Sequence, residues 1–223
     1  MGDLIIDKMN PKKFCDFGLY FITDGTLTKK SVIDDVKSAV KGGVKIIQYR
    51  EKVASSKKMI EEASQIMEIC SRNNVIFLVN DRIDVAIAVG ADGVHLGKND
   101  MPYEYARKML GNGKIIGLSA ESFEAALQNE KIGADYTGIG PIYPTTTKKD
   151  AKSAIGLSVI TKLKNELKMP FVAIGGINES NVEEVMKAGA RNVAMISGIV
   201  TKSNVEETVR MIVSRIDSSG KNK

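Results

Sequence analysis

Tryptophan is absent from the 223 residues, histidine occurs once, cysteine twice and proline five times, and only 5% of the chain is aromatic. Each scarcity closes a class of function. With His95 the only histidine and no Ser/His/Asp or Cys/His set around it, nucleophilic hydrolysis is not expected. Cys15 and Cys70 lie far apart and match neither a metal nor a redox spacing, so they read as reduced, packed thiols. No basic block is interleaved with aromatics, and nucleic-acid binding is not expected. No apolar run approaches the roughly 18 residues that a bilayer span needs, which excludes a membrane helix. The apolar patch Leu4-Ile5-Ile6 has no cleavage pattern behind it, and Ile6 stands where an acylation motif wants a hydroxyl. A cytoplasmic protein is the expectation.

What is present is enough for one substantial core: 43% hydrophobic and 26% charged residues, with a formal charge of +5 spread over helix-like segments. Small anionic substrates suit that charge. From Leu19 onward a short β-branched or aliphatic run, a polar loop and an amphipathic stretch of helical period repeat eight times. The strand candidates are 19–23, 44–49, 75–79, 93–96, 115–118, 136–139, 171–174 and 192–196. The helix candidates are 31–41, 57–72, 82–89, 103–110, 123–131, 157–167, 179–187 and 204–216. Gly42, Gly90, Gly133 and Gly189 read as helix stops, each leading straight into the next strand. Short, nearly all-apolar strands imply a parallel sheet covered on both faces. Eight such units without linkers predict an α/β fold, a single (β/α)8 TIM barrel over residues 19–217, with an N-terminal extension (1–18) and a flexible tail (218–223). The rival, an open doubly wound sheet, calls for a glycine-rich fingerprint that Asp24-Gly25-Thr26-Leu27 does not supply.

In such a barrel the chemistry sits after the C-terminal ends of the strands. Gln48, Arg50 and Lys52 follow strand two at the period of a strand, so an amide and two cations share one face, or are merely solvated charges. Asp81 and Asp100 close strands three and four. They suit a Mg²⁺ shared with a substrate phosphate, although on spacing alone the reading as caps of the helices that follow is favoured. The loop 138–149 is long, rich in hydroxyls and ends in two lysines, a composition fit for phosphate. Gly175-Gly176 and Ile196-Ser197-Gly198 stand where these barrels hold phosphate on backbone N–H groups. Ser119 either meets the ligand or caps a helix, and His95 reads as a packed or hydrogen-bonded residue inside strand four.

These segments together resemble the thiamine phosphate synthase family: 20–24, 48–52, 79–82, 91–97, 133–136, 138–148, 173–177 and 195–197, in family order from Leu19 to about Arg215. The resemblance implies a transferase of thiamine biosynthesis. It would join 4-amino-2-methyl-5-hydroxymethylpyrimidine diphosphate to a 4-methyl-5-(2-phosphoethyl)thiazole, carboxylated or not, by a dissociative substitution that gives thiamine phosphate and diphosphate. By the same resemblance Gln48, Arg50, Lys52, Asn80, Ser119 and Lys148 hold the pyrimidine diphosphate, and Asp81 and Asp100 bind Mg²⁺. Thr145, Thr146, Thr147, Gly176, Ile196 and Ser197 hold the thiazole phosphate, and Arg50, Lys52, Lys148 and Ser119 form the catalytic set. The partners expected are small molecules, with the oligomeric state left open. Glu121 departs from the family, which often has histidine there. That weakens the alternative of a thiazole tautomerase, and the Gln48-to-Asp100 set has no use in a silent phosphate sensor.

Overall fold

A computed structural model describes residues 16–147 and 153–220. Eight strands run parallel in sequence order: β1 (Gly18–Ile22), β2 (Ile46–Tyr49), β3 (Ile76–Asn80), β4 (Gly93–Leu96), β5 (Ile115–Ala120), β6 (Tyr136–Ile139), β7 (Phe171–Ile174) and β8 (Asn192–Met195). Because β8 returns to pair with β1, the sheet is a closed barrel and the open-sheet rival is ruled out. The helices are α1 (Val32–Gly42), α2 (Ser56–Arg72), α3 (Ile83–Val89), α4 (Tyr103–Leu110), α5 (Phe123–Lys131), α6 (Ser158–Glu166), α7 (Val182–Ala188), α8 (Ser197–Val200) and α9 (Val205–Gly220). Among the described residues no helix is long and apolar enough to cross a membrane. Residues 1–15, with Cys15, and Lys148 lie outside the described residues; Cys70 is buried on α2.

Strand periodicity divides the apolar side chains between two cores. Leu19 and Phe21 of β1 face the helices, whereas Tyr20 and Ile22 join Ile46, Leu78, Tyr136 and Val172 inside the barrel. Ser31, Ser55 and Ser122 cap α1, α2 and α5 by accepting N–H bonds from the first helical turn. At the end of α1 the left-handed stop is Gly43 (φ 100°) rather than Gly42. Gly42 is the last helical residue, and what requires glycine there is the close approach of α9, since a Cβ would lie 2.6 Å from Val209.

The recurring Gly-Ala-Asp that leads into strands has a second purpose. Asp92 Oδ2 accepts the Phe77 N–H at 2.8 Å, and Asp135 Oδ2 accepts that of Ile116 at 2.7 Å. At the seam, Asn192 Oδ1 accepts from Phe17 and Gly18 at 2.9 and 3.2 Å. Asp92 and Asp135 therefore tie the lower ends of β4 and β6 to the strand before each, and Asn192 ties β8 to β1.

Several boundaries differ from the expected ones. β3 and β5 extend to Asn80 and Ala120, since polar side chains that face the cavity still pair in the ladder. α7 begins only at Val182, after a turn closed by the Asn178 and Asn181 side chains. α9 runs on to Gly220, past the expected boundary at 217, and α8 follows β8 where no helix was expected.

Candidate active site

The strand C-termini surround a cavity of about 620 Å³, within the range of small-molecule sites. Gln48, Arg50 and Lys52 all line it. Arg50 is held from two sides: its N–H donates to Thr23 Oγ1 at 3.0 Å, and its Nη1 donates to Asp24 Oδ2 at 2.5 Å. Asp24 is 5% exposed and also accepts from Thr26 N and Oγ1, so the ion pair is anchored to the β1 loop. Glu51 Oε1 accepts the N–H groups of Lys52, Val53 and Ala54 at 2.7, 2.7 and 3.1 Å, which folds the β2 loop around one carboxylate.

On the neighbouring strands Asp81 and Asp100 face each other, and Lys52 Nζ is paired with Asp81. Neither carboxylate caps a helix: α3 starts from Arg82 and α4 from Pro102, both without a side-chain cap bond. Asp81 sits in the left-handed region (φ 59°), uncommon for a residue with a Cβ, while its N–H donates to His95 O at 2.9 Å. Burial and the neighbouring Asp81 push the Asp100 carboxyl above the ordinary range, partly offset by the Gly97 N–H at 2.7 Å. Burial also acts to raise Asp81, but its bonds to Asp100 and Lys52 prevail and hold it below that range. Nearby, the Asn80 Nδ2 is buried without a partner, a donor left for something the cavity admits.

Across the cavity are Thr145, Thr147, Gly176, Ile196 and Ser197. Thr147 Oγ1 donates to Ser197 Oγ at 3.3 Å and so ties the β6 loop to the end of β8. Thr146, expected beside them, is exposed and stays off the cavity wall. Alternate residues of an extended loop point opposite ways, which separates it from its two neighbours. Gly176 has φ 66°, and a Cβ there would lie 2.7 Å from Tyr143 Cβ and Pro144 O. What requires glycine is thus the close passage of the β6 loop as well as the backbone angle.

The floor is a chain of side-chain hydrogen bonds. Gln48 Nε2 lies 2.7 Å from Tyr20 Oη, which lies 3.0 Å from Tyr136 Oη. His95 Nδ1 is 2.8 Å from Tyr136 Oη, and His95 Nε2 is 3.0 Å from Ser119 Oγ. Ser119 caps nothing, since Ser122 performs that task for α5.

The sequence pattern of the family described as "Thiamine monophosphate synthase" matches residues 19–199, most of the chain. The chain belongs to the thiamine monophosphate synthase family. It is 51% identical over 201 residues to the thiamine-phosphate synthase of Methanosarcina barkeri, covering 90% of this chain and 91% of that one. With the Chloroflexus aurantiacus thiamine-phosphate synthase the identity is 45% over 198 residues, 88% of this chain and 91% of the relative. Among solved structures, the thiamine phosphate pyrophosphorylase from Pyrococcus furiosus superposes with a TM-score of 0.85 at 39% identity, covering 92% and 97% of the two chains. The activity is accordingly that of a thiamine phosphate synthase, a transferase of thiamine biosynthesis.

For this synthase, sequence reasoning passed over Asp24, Glu51, Tyr20 and Tyr136 as site residues. Asp24 meets Arg50 only through the fold, and Glu51 acts through the backbone N–H groups of its own loop. Tyr20 and Tyr136 sit within apolar strands and read as core. Glu121, where the family often has histidine, lines the cavity.

Proposed function

We propose that the two walls divide the substrates between them. The pyrimidine diphosphate lies on the side of Gln48, Arg50, Lys52, Asn80 and Ser119, and the thiazole phosphate on the side of Thr145, Thr147, Gly176, Ile196 and Ser197. The observation that supports this most directly is the charge asymmetry of one cavity: two cations, two facing carboxylates and an unpartnered amide on one wall, hydroxyls and glycine backbone on the other. Lys148 belongs with the first group by resemblance.

Asp81 and Asp100 suit Mg²⁺. Among the described residues no group of three or more His, Cys, Asp or Glu could hold a metal by itself. Two facing carboxylates that disturb each other's ionisation are nevertheless the pair a cation relieves, and a substrate phosphate completes oxygen coordination. Bound there, Mg²⁺ would neutralise diphosphate charge. Arg50 and Lys52 do the same from the protein, as donors fixed before the reaction where negative charge accumulates. The bond from the pyrimidine methylene carbon to the diphosphate oxygen breaks with its electron pair leaving on oxygen, and the thiazole nitrogen lone pair then bonds that carbon. No protein nucleophile is needed. Holding both partners in one cavity supplies the remaining orientation.

Purified protein given both substrates and Mg²⁺ should release diphosphate and thiamine phosphate in equal amounts. Asp81→Ala and Asp100→Ala should each reduce turnover by roughly a hundredfold or more while the protein stays folded. Full activity in chelator would sink the metal assignment.

A further inference from the structure

Tyr20 and Tyr136 are 1% and 0% exposed, so their hydroxyl protons need partners inside the protein. The partners available fix a direction. An amide nitrogen only donates, so Gln48 Nε2 gives a proton to the Tyr20 oxygen. The Tyr20 proton then goes to Tyr136, and the Tyr136 proton to His95 Nδ1. An imidazole that accepts at Nδ1 carries its proton on Nε2, and His95 Nε2 lies 3.0 Å from Ser119 Oγ. Ser119 thus receives a hydrogen bond from below and keeps its own proton for the cavity, toward which its side chain is exposed. The reverse direction would have the Tyr20 oxygen accept from both neighbours and leave its proton buried with no acceptor.

The strands are shaped around this chain. A Cβ on Gly117 would lie 2.0 Å from Tyr136 Cζ, and one on Gly138 would lie 3.1 Å from His95 Cε1. Two glycines in the interiors of β5 and β6 weaken those strands, and here each leaves the space that a ring of the chain fills.

We infer that Tyr20, Tyr136 and His95 are positioning residues, which order these hydrogen bonds in one direction and keep the Ser119 hydroxyl a donor toward the pyrimidine diphosphate. The substrate in that statement rests on the wall assignment proposed above; the direction of the chain does not. Because His95 is the only histidine, its tautomer can be read directly. In ¹⁵N-histidine-labelled protein without ligands, at a pH above the ordinary imidazole value of roughly 6.5, the proton should reside on Nε2. Tyr136→Phe keeps the ring in its hollow but deprives Nδ1 of its donor, and the spectrum should show both tautomers. Gln48→Glu turns the first member into an acceptor and should move the proton to Nδ1. A parent with its proton on Nδ1, or a tautomer indifferent to Tyr136→Phe, overturns the chain. In the kinetic arm Tyr136→Phe should raise KM for the pyrimidine diphosphate roughly tenfold, the scale of one lost hydrogen bond, and leave KM for the thiazole phosphate unchanged. Equal changes in both overturn the role of Ser119. Should Tyr136→Phe lose its thermal transition, the Gln48→Glu spectrum still decides the direction: a proton that stays on Nε2 there overturns the chain. A parent with the expected tautomer that does not consume the pyrimidine diphosphate refutes the substrate assignment alone.

Discussion

Asp24, 5% exposed, accepts Arg50 Nη1 on one oxygen and Thr26 on the other, so the guanidinium reaches the cavity from a fixed base. A guanidinium is a planar fork, and what holds one edge decides where the other edge points. Asp24→Asn keeps the shape and removes the charge that holds the fork. KM for the pyrimidine diphosphate should rise roughly tenfold with little change for the thiazole phosphate, as steady-state kinetics with each substrate varied would show. Asp100 is the opposite case, a carboxylate in a setting that disfavours its charge. Burial and Asp81 raise its proton affinity in the folded chain, so its contribution to stability is greatest at low pH and declines as pH rises through that raised value. At neutral pH the metal-free Asp100→Asn protein should therefore melt slightly higher than the parent, on the order of 2 °C after solvent screening, while losing turnover. If Asp81 and Asp100 hold Mg²⁺ as proposed, the same raised value makes protons compete with it. Mg²⁺ affinity, measured by calorimetric titration, should fall from neutral pH toward roughly pH 4.

At the scale of elements, two loops carry most of the site, and each is shaped by a contact that sequence spacing does not display. The β2 loop is folded around Glu51, whose one oxygen gathers three N–H groups. The β6 loop passes so close to Gly176 that a methyl group would meet its backbone at 2.7 Å. Gly176→Ala should cost about 1–2 kcal/mol from the left-handed angle alone, a few degrees of melting temperature. By displacing the loop that bears Thr145 and Thr147 it should also weaken thiazole phosphate binding at least tenfold in titration. The eight strands were legible because burial on both faces leaves a short apolar run that recurs in step with the polar loops and amphipathic stretches between them. α8 was not legible, since four residues are too few for a helical period to show. The floor was hidden for another reason: Tyr20 and Tyr136 are 116 positions apart, and their meeting depends on barrel closure. Asp81 and Asp100 were legible as a pair, but setting aside the cap reading needed the observed helix starts.

In the molecule as a whole, the side chains that close the barrel and those that line the cavity occupy opposite ends of the same strands. Asn192 illustrates the lower end: 3% exposed, it accepts from Phe17 and Gly18 across the seam between β8 and β1. Asn192→Ala would leave those donors unmatched at a cost of about 1–3 kcal/mol, lowering the melting temperature with kcat unchanged. Asp92 and Asp135 serve the same end, and none of the three lines the cavity. This separation gives the fold a modular genetics. Changes at the two ends share no partners, so the stability effects of Asn192→Ala and Asp24→Asn should sum in the double variant to within roughly 0.5 kcal/mol. A lineage carrying this barrel can accordingly revise its substrate-facing end by single substitutions, drawing on whatever stability margin the other end has accumulated, without the two histories having to be coordinated.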